Sequence, residues 1–334
     1  MAGSEPPTIS LILTVKDEAA TLPAFFESLD HQTLQPKEVI LVDGGSSDET
    51  LDVARAWKTN LPFIIVSEPG ANISRGRNIA LQRATGSIVA VTDAGTRLRP
   101  DWLAELTQPF LRRENLQPDV VAGFFEADPH NTFELALAAT TLPDVDEVNP
   151  EKFLPSSRSV AFRRSLFEVG IEYPEWLDYC EDLVFDLKLK RAGARFEFAP
   201  GAIVDFAPRP SARSHWAQYY RYARGDGKAG LFPRRHAARY MSYVVVLPWA
   251  IKRRDRVAFF VLAIGGAWYI ASPVRRLIRR RASMPNAEFV RALAIIPCLR
   301  ILGDVAKMAG YPVGLLWRLR RYGLRRNWSS IQDR

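Results

Sequence analysis

The sequence predicts an α/β fold, in which a mostly parallel sheet carries helices on both faces and a helical region of different composition follows. Short apolar runs alternate with helical patterns in the first half of the chain, as in parallel sheets that are covered on both faces. Two of these runs, 38–42 and 87–92, are each followed directly by an aspartate at the start of a turn. After Pro210 the chain changes to long apolar stretches separated by basic clusters.

The elements of the first half follow from hydrophobic periodicity and from residues that start or stop helices. Ser46 and Glu49 have the spacing of a capping box, which would start a helix ending near Trp57. Pro100 suits the first turn of another helix. We predict strands at 9–15, 38–42, 63–66 and 87–92, and helices at 20–29, 46–57, 74–84 and 100–111.

The middle of the chain is less regular. Here we predict strands at 120–125, 159–162, 195–198 and 202–206, a helical turn at 164–169, a helix at 181–192 and a variable stretch at 128–154. The predicted domains are a first domain at 1–230, with halves at about 8–125 and 126–230, and a basic, apolar helical region at 231–334.

The net charge of +8 hides an asymmetry between the two parts of the chain. Residues 1–208 contain 19 Lys and Arg against 32 Asp and Glu, a net −13, whereas residues 209–334 contain 26 against 5, a net +21. The basic part should favour anionic partners such as lipid headgroups, nucleic acid or a phosphorylated acceptor. Two cysteines exclude a disulfide framework and indicate a reducing compartment, and we expect no signal peptide.

Asp43 and Asp93 each follow a predicted strand, and the carboxyl ends of parallel strands share one edge of a sheet. Asp43 could accept a hydrogen bond from uracil, guanine or a ribose hydroxyl, or it could only stabilise the glycine-rich turn that follows. Asp93 could ligate Mg²⁺ or Mn²⁺ together with substrate phosphates, or it could only cap its strand. Gly95 stands where a second carboxylate would help the metal.

Two further pairs of charged residues start predicted helices. Glu181 and Asp182 could simply complement the helix dipole, but a carboxylate held at such a position can also act as a general base. Arg75 and Arg77 could pair with phosphate oxygens or form a solvated first turn.

The segment 218–228 combines aromatic and basic side chains. Its tyrosines could stack on sugars or bases, and Arg221, Arg224 and Lys228 could hold a diphosphate. The alternative is an amphipathic basic helix on a membrane surface.

In their order and spacing, these segments resemble the family 2 glycosyltransferases of the GT-A fold. The resemblance covers roughly residues 8–230 and is carried by 9–18, 42–50, 73–78, 92–96 and 180–182. It implies an inverting enzyme that moves a sugar from a UDP- or GDP-sugar to a lipid-linked, saccharide or cell-envelope acceptor.

The resemblance also implies roles for individual residues. Asp43 would hold the nucleobase, with Asp17 and Glu18 beside the nucleoside. Asp182, in the acidic pair before its helix, would be the catalytic base.

The metal site and a later motif depart from the family pattern. Asp93, followed by Ala94, would hold Mg²⁺ or Mn²⁺ and the diphosphate, but the Asp-x-Asp motif is reduced to Asp-Ala-Gly. The family's Gln-x-x-Arg-Trp element has a relaxed form here, with Arg221 followed by Tyr222. This replacement gives no support to processive polymer synthesis.

The basic, apolar tail indicates membrane association. Residues 257–274 contain no charge and would extend about 27 Å as a helix, near the thickness of the hydrocarbon core. Basic clusters at 252–256 and 275–281 flank them on both sides, which conflicts with a simple positive-inside span. We expect an integral or monotopic protein on the cytoplasmic face of the cell membrane. The alternative is a buried helical subdomain of a soluble protein.

Two other functions compete with glycosyl transfer. The first is a non-catalytic membrane-associated adaptor on a degenerate form of the fold. The second is a nucleotidyltransferase, which usually has a glycine-rich loop after its first strand, whereas residues 14–19 contain no glycine. We expect no nucleic acid partner, because the apolar stretches of the tail fit lipid better than DNA.

Overall fold

The chain folds into two compact units. The computed structural model describes residues 7–113, 115, 117–254, 256–323 and 328–329. The first unit comprises the described residues up to Glu126 together with Val145–Phe206, and the second comprises Ala127–Asp144 and the described residues from Ala207 onward. The boundary predicted near residue 230 therefore falls inside the second unit.

Among the described residues, the first unit contains one eight-stranded sheet. Its strands are β1 (Ile9–Val15), β2 (Glu38–Asp43), β3 (Phe63–Ser67), β4 (Ile88–Val91), β5 (Thr96–Leu98), β6 (Val120–Ala127), β7 (Val160–Arg163) and β8 (Phe196–Phe206). The strand order across the sheet is β3-β2-β1-β4-β7-β6-β8-β5.

The sheet is mixed, so the expectation of a mostly parallel sheet is corrected. β1 pairs in parallel with β2 and β4, and β2 pairs in parallel with β3. In contrast, β7 runs antiparallel to β4 and β6, and β5 runs antiparallel to β8. A parallel pair needs a crossover, usually a helix, and the β-helix-β pattern extends only from β1 to β4.

Helices cover both faces of this sheet, as expected. The α-helices of the described residues are α1 (Leu22–Asp30), α2 (Thr50–Ala56), α3 (Ile73–Arg83), α4 (Trp102–Thr107), α5 (Thr132–Thr141), α6 (Ser165–Glu168), α7 (Glu181–Arg191), α8 (Ala212–Ala229), α9 (Pro233–Tyr240), α10 (Leu247–Arg253), α11 (Arg256–Arg279) and α12 (Asn286–Tyr322). Neighbouring strand residues alternate between two cores: Leu11 and Leu13 pack with Phe25, whereas Ile12 packs with Leu81 on the other face.

The capping box predicted at Ser46 and Glu49 is absent. α2 begins at Thr50, and its N-cap residue, Glu49, makes no side-chain capping hydrogen bond. The Ser46 hydroxyl is used elsewhere, because it donates to the Asp43 carboxylate and accepts from the Asp17 backbone N–H. The helix therefore begins four residues later than predicted, because the Ser46 hydroxyl binds the turns that follow β1 and β2.

Three other elements differ from the prediction. The stretch 128–154, expected to be variable, contains α5, whose N-cap Asn131 accepts from the Glu134 backbone N–H at 3.0 Å. The strands predicted at 195–198 and 202–206 form one continuous strand, β8. β5 was not predicted, because three residues are too few to show a periodic pattern.

Helices form the second unit. α8 and α12 approach so closely that a Cβ at Gly310 or Gly314 would overlap the backbone carbonyl oxygen of Tyr220 or Arg224. α5, α11 and α12 share a separate apolar core. A π-helix, Met241–Val246, follows α9 and leads directly into α10.

α11 contains the predicted apolar stretch 257–274. In the described part of the chain it is the one helix whose length and composition would suit a membrane crossing, and almost all of its apolar window is exposed. Its large exposed side chains include Phe260 and Trp268. α12 continues through Pro297 and Pro312.

Candidate functional site

Asp43, at the end of β2, organises the turn that follows it. Its carboxylate accepts hydrogen bonds from the backbone N–H groups of Gly45, at 3.0 Å, and Ser46, at 3.1 Å. Gly45 has a φ of +86°, and a Cβ at Gly44 would lie 2.8 Å from the carbonyl oxygen of Ala71. The turn therefore needs both glycines, and it holds the buried Asp43 carboxylate in one orientation.

The turn after β1 is bound to this turn. The Ser47 backbone N–H donates to the Asp17 carboxylate at 2.7 Å, and the Glu18 backbone N–H donates to the Thr50 hydroxyl at 2.8 Å. Asp17 has a φ of 56°, a strained value for a residue other than glycine. The structure thus brings Asp17 and Glu18 beside the Asp43 turn at the edge where β1 and β2 end, as their parallel pairing predicts.

Asp93 follows β4, the other parallel neighbour of β1. Its Oδ1 accepts a hydrogen bond from Arg77 Nη2 at 3.0 Å, and its Oδ2 lies 3.8 Å from Arg158 Nε. Ala94 is buried behind it. A Cβ at Gly95 would meet only Glu18 Oε2, at 4.0 Å, so the Glu18 carboxylate lies near the position of the missing second carboxylate.

Arg77 is the buried cation that joins the acidic residues. It is 2% exposed, and its Nη1 donates to Glu181 Oε1 at 2.8 Å while its Nη2 reaches Asp93. Its guanidinium also lies over the Tyr173 ring, 5.2 Å from the centroid. Burial alone would lower the pKa of Arg77, but Asp93 and Glu181 outweigh it and raise the pKa above its ordinary value.

Glu181 and Asp182 open α7, as predicted. The preceding residue, Cys180, has a left-handed φ of 65°, which turns the chain sharply into the helix. Burial and the neighbouring Asp182 raise the pKa of Glu181 above its ordinary value, and Arg77 opposes them in part. Asp182 is partly exposed, so it can meet a substrate, whereas the buried Glu181 carboxylate is bonded to Arg77.

Asp186, one turn further along α7, was not among the predicted residues. Burial, with a contribution from Asp182, raises its pKa well above the ordinary value, and its Oδ2 has no hydrogen-bond partner in the structure. Tyr173 and Arg158 were also missed. Their sequence neighbourhoods carry no recognisable signal, because tertiary packing alone brings them to Arg77 and Asp93.

Arg75, predicted to bind phosphate with Arg77, is bonded to carboxylates as well. Its Nη2 lies 2.6 Å from Glu68 Oε1, and its Nη1 lies 3.8 Å from Glu175 Oε2. Unlike Arg77, it is about half exposed, so a phosphate could still reach it. Phosphate binding by either arginine stays a prediction.

Arg221 and Arg224, the other predicted diphosphate ligands, belong to α8 in the second unit. Gln218, in the relaxed motif of this helix, donates to the Tyr222 hydroxyl at 2.9 Å. This bond joins two members of the motif along one face of α8. A diphosphate contact of these arginines stays a prediction.

No cluster of three or more His, Cys, Asp or Glu side chains suited to a metal ion occurs in the described ranges. Asp93 is therefore a single carboxylate, and Glu18 Oε2 lies 4.0 Å from the place of a Cβ at Gly95. Mg²⁺ and Mn²⁺ are commonly held by one or two carboxylates together with substrate phosphates. The residues present fit a divalent cation that binds with its diphosphate substrate.

Comparisons with known proteins point to one family of enzymes. Residues 10–169 match the family model for glycosyl transferase family 2. The O-antigen chain rhamnosyltransferase WbaN of Salmonella anatum is 23% identical over 324 residues, which cover 93% of this chain and 90% of that protein. A PGL/p-HBAD biosynthesis glycosyltransferase of Mycobacterium tuberculosis is 39% identical over 83 residues, which are 24% of this chain and 32% of that protein.

One solved structure shares the fold over most of the chain. The mannosyltransferase PcManGT from Pyrobaculum calidifontis, in complex with GDP-Man and Mn²⁺, matches with a TM-score of 0.56 and 20% identity. The match covers 94% of this chain and 88% of that one. It confirms the fold predicted for the catalytic domain.

Proposed function

This chain belongs to glycosyltransferase family 2, and we propose that it transfers a sugar from a nucleoside-diphosphate donor to a lipid-linked or cell-envelope acceptor, with inversion at the anomeric carbon. The observation that carries the proposal is the ion-pair bridge from Asp93 through Arg77 to Glu181. This bridge fixes a strand-end carboxylate, suited to a metal-bound diphosphate, beside the acidic pair that contains Asp182. In this proposal, donor binding and proton removal would occur at one site.

The donor nucleoside would lie at the edge formed by β1 and β2. Asp43 would accept a hydrogen bond from uracil or guanine, with Asp17 and Glu18 beside the nucleoside. The fixed orientation of the Asp43 carboxylate supports this role, because its turn holds it before any ligand binds. The rhamnosyltransferase relatives make a nucleoside-diphosphate rhamnose the first donor to test.

Asp93 would hold the divalent cation, with the Ala94 segment against the diphosphate. When bound, Mg²⁺ or Mn²⁺ would neutralise charge that develops on the departing diphosphate. Arg77 binds Asp93 Oδ1, so Oδ2, which lies 3.8 Å from Arg158 Nε, would be the oxygen that meets the cation. The half-exposed Arg75 would pair with a phosphate oxygen. Arg221 and Arg224 would add positive charge if α8 contributes to donor binding.

Asp182 would act as the general base. It accepts the proton of the acceptor hydroxyl while that oxygen attacks the anomeric carbon, and the bond from the anomeric carbon to the diphosphate oxygen breaks. One displacement of this kind inverts the anomeric centre. Glu181 is the supporting member of the pair, because its buried carboxylate is held by Arg77.

The acceptor side of the proposal concerns the second unit. Exposed apolar side chains such as Trp249, Phe260 and Trp268 would enter the membrane interface, and the surrounding Lys and Arg side chains would meet anionic headgroups. We place the protein on the cytoplasmic face of the cell membrane. Either an integral or a monotopic arrangement of α11 would attach it there. An acceptor carried on a lipid would then reach the enzyme by diffusion within the membrane.

The test is binding and transfer with a panel of UDP-, GDP- and rhamnose-containing nucleotide sugars, with Mn²⁺ or Mg²⁺. We expect metal-dependent binding of one donor, which Asp43→Ala and Asp93→Ala weaken. Asp182→Asn should bind this donor as the wild type does but lose transfer. Full transfer by Asp182→Asn would refute its role as base. Failure of every donor to bind would favour a membrane adaptor without activity.

A further inference from the structure

A polar cluster lies among the helices of the second unit. We call it the Asp304 cluster, and its members are Arg239, Tyr243, Tyr269, Arg300, Asp304 and Lys307. Arg300, Asp304 and Lys307 are spaced by four and three residues on α12, so they share one face of that helix. Polar groups packed between apolar helices need a structural or functional reason.

Asp304 is already saturated by its neighbours. It is 4% exposed, and its Oδ1 accepts a hydrogen bond from Arg239 Nε at 2.7 Å. Its Oδ2 accepts from the hydroxyls of Tyr243 and Tyr269, each at 3.0 Å. One carboxylate thus binds one guanidinium and two phenols, and it has little capacity left for other cations.

Arg300 and Lys307 are left with aromatic partners only. Arg300 lies over the Tyr269 ring at 4.5 Å, and its buried Nε has no hydrogen-bond partner. Lys307 Nζ lies 4.4 Å from the centroid of Tyr219. Within the described part of the chain, no carboxylate is within 4.0 Å of either cation.

Burial and nearby positive charge change the pKa of Lys307. Burial, followed by the nearby Arg239, lowers the pKa of Lys307 to about 8, although Asp304 opposes the shift. Arg235 and Arg300 act in the same direction as Arg239. A partly buried group of cations with a single, saturated carboxylate is unfavourable until an anion joins it.

The helices that carry the cluster also expose apolar side chains. On α12 these include Ile301 and Val305, and on α11 they include Ile264 and Trp268. Met241 is exposed at the start of the π-helix that supplies Tyr243. An anion that suits this place carries its charge on an apolar chain, which a soluble phosphate does not.

We propose that Arg300 and Lys307 bind the diphosphate of a lipid-linked acceptor, with Asp304 holding Arg239 and the two tyrosines in place around it. A diphosphate that joins a lipid to a sugar carries two charges, one on each phosphate, which matches the two cations that have no carboxylate partner. The phosphodiester of a bulk phospholipid carries only one. The identity of the lipid as the acceptor rests on the proposed function; the binding of a lipid diphosphate does not.

The test measures binding to phosphatidylcholine vesicles that contain a polyprenyl diphosphate. Vesicles with phosphatidylglycerol at the same surface charge are the comparison, and inorganic pyrophosphate is the soluble competitor. The variant Arg300→Gln/Lys307→Gln removes the two cations. The matched control, Arg275→Gln/Arg291→Gln, removes two charges from exposed positions on α11 and α12.

We expect the wild type to prefer the diphosphate vesicles by at least tenfold. The Arg300/Lys307 variant should lose this preference, whereas the Arg275/Arg291 control should keep it. Inorganic pyrophosphate should compete poorly, because it lacks the apolar chain. Equal binding to both vesicles by the wild type, equal loss in variant and control, or strong competition by pyrophosphate would each overturn the proposal.

A second variant covers the case in which the double variant is unstable. Lys307→Met keeps the length of the side chain but removes the buried charge, so it should raise the thermal midpoint while it weakens diphosphate binding. A purely structural lysine would show the opposite change in stability, with binding unchanged. Nucleotide-sugar binding, measured on the same variants, separates this inference from the proposed function: the donor site should be unaffected by both changes.

Discussion

Replacing Arg77 by methionine tests the ion-pair bridge in the first unit. Arg77 is 2% exposed and donates to Glu181 at 2.8 Å and to Asp93 at 3.0 Å. Methionine is unbranched and fills much of the same space without charge or hydrogen-bond donors. The substitution therefore leaves two carboxylates without their shared cation.

The two carboxylates contribute unequally to the expected loss of folding stability. The Asp93 side chain is 30% exposed, so water can solvate it, whereas that of Glu181 is only 9% exposed. Glu181 can avoid an unpaired buried charge by taking up a proton, which costs about 1.4 kcal/mol for each pH unit above its ordinary pKa. That ordinary pKa is 4.5.

The cost of neutralising Glu181 is thus about 4 kcal/mol at pH 7.5 and about 1.4 kcal/mol at pH 5.5. The wild-type protein already carries part of it, because its Glu181 pKa is raised. With a pKa of about 7, Glu181 in the wild type already accounts for about 3 kcal/mol of this cost at pH 7.5 and for nearly the whole cost at pH 5.5. We therefore expect Arg77→Met to lower the free energy of unfolding through Glu181 by about 1 kcal/mol at pH 7.5 and by close to zero at pH 5.5. The loss at pH 7.5 corresponds to roughly 2–4 °C in the thermal midpoint.

Urea unfolding at the two pH values measures this difference. Arg83→Met is the matched control, since Arg83 lies on the same helix but is exposed. Transfer should also fall, on the order of 100-fold, because Asp93 loses the group that orients it. An Arg77→Met loss that equals the control, or that does not change between the two pH values, would refute the reasoning.

Three further outcomes can be checked in the same way. Gly95→Asp should be tolerated, because a side chain there meets only Glu18 at 4.0 Å. The added carboxylate should tighten Mn²⁺ binding on the order of tenfold, as measured by isothermal titration in the presence of nucleoside diphosphate. An unchanged affinity would count against a metal at this turn. The folded state binds the Glu181 proton more tightly than the unfolded state, so wild-type stability should fall as pH rises above 4.5 through the raised pKa. Glu181→Gln should make the free energy of unfolding depend less on pH over this range. If urea unfolding gave the same pH dependence for the variant and the wild type, the raised pKa of Glu181 would be contradicted. Gly314→Ala should cost about 1–3 kcal/mol by forcing α8 and α12 apart, whereas Gly265→Ala, with open space around it, should cost nothing in the same thermal unfolding assay.

Much of the parallel half of the sheet was predictable. β1 to β4 are short apolar runs separated by helical patterns, and the structure gives them nearly the predicted bounds. The positions of Asp43 and Asp93 followed as well, because both end strands that neighbour β1 in parallel. These predictions succeeded because the period of a strand and the direction of a parallel pair are local properties.

The contacts within the site were not predictable in the same way. The sequence suggested phosphate binding for Arg77, and the structure shows it bonded to Glu181, which is 104 residues away. Arg158 near Asp93 had no sequence signal at all. Both contacts depend on which elements pack side by side, and a single sequence does not contain that information.

By itself, the sequence determined the alternation of strands and helices, the acidic turns at the strand ends and the separation of an acidic front from a basic, apolar tail. These features depend on the spacing and charge of residues close together in the chain. Only the tertiary structure decided that the sheet is mixed and that the Ser46 hydroxyl binds Asp43 instead of capping α2. It also decided that Asp304 has its hydrogen-bond partners, whereas the buried Arg300 Nε has none. The physical reason is that hydrogen-bond and charge partners are set by packing between distant segments, where burial makes each unpaired group costly.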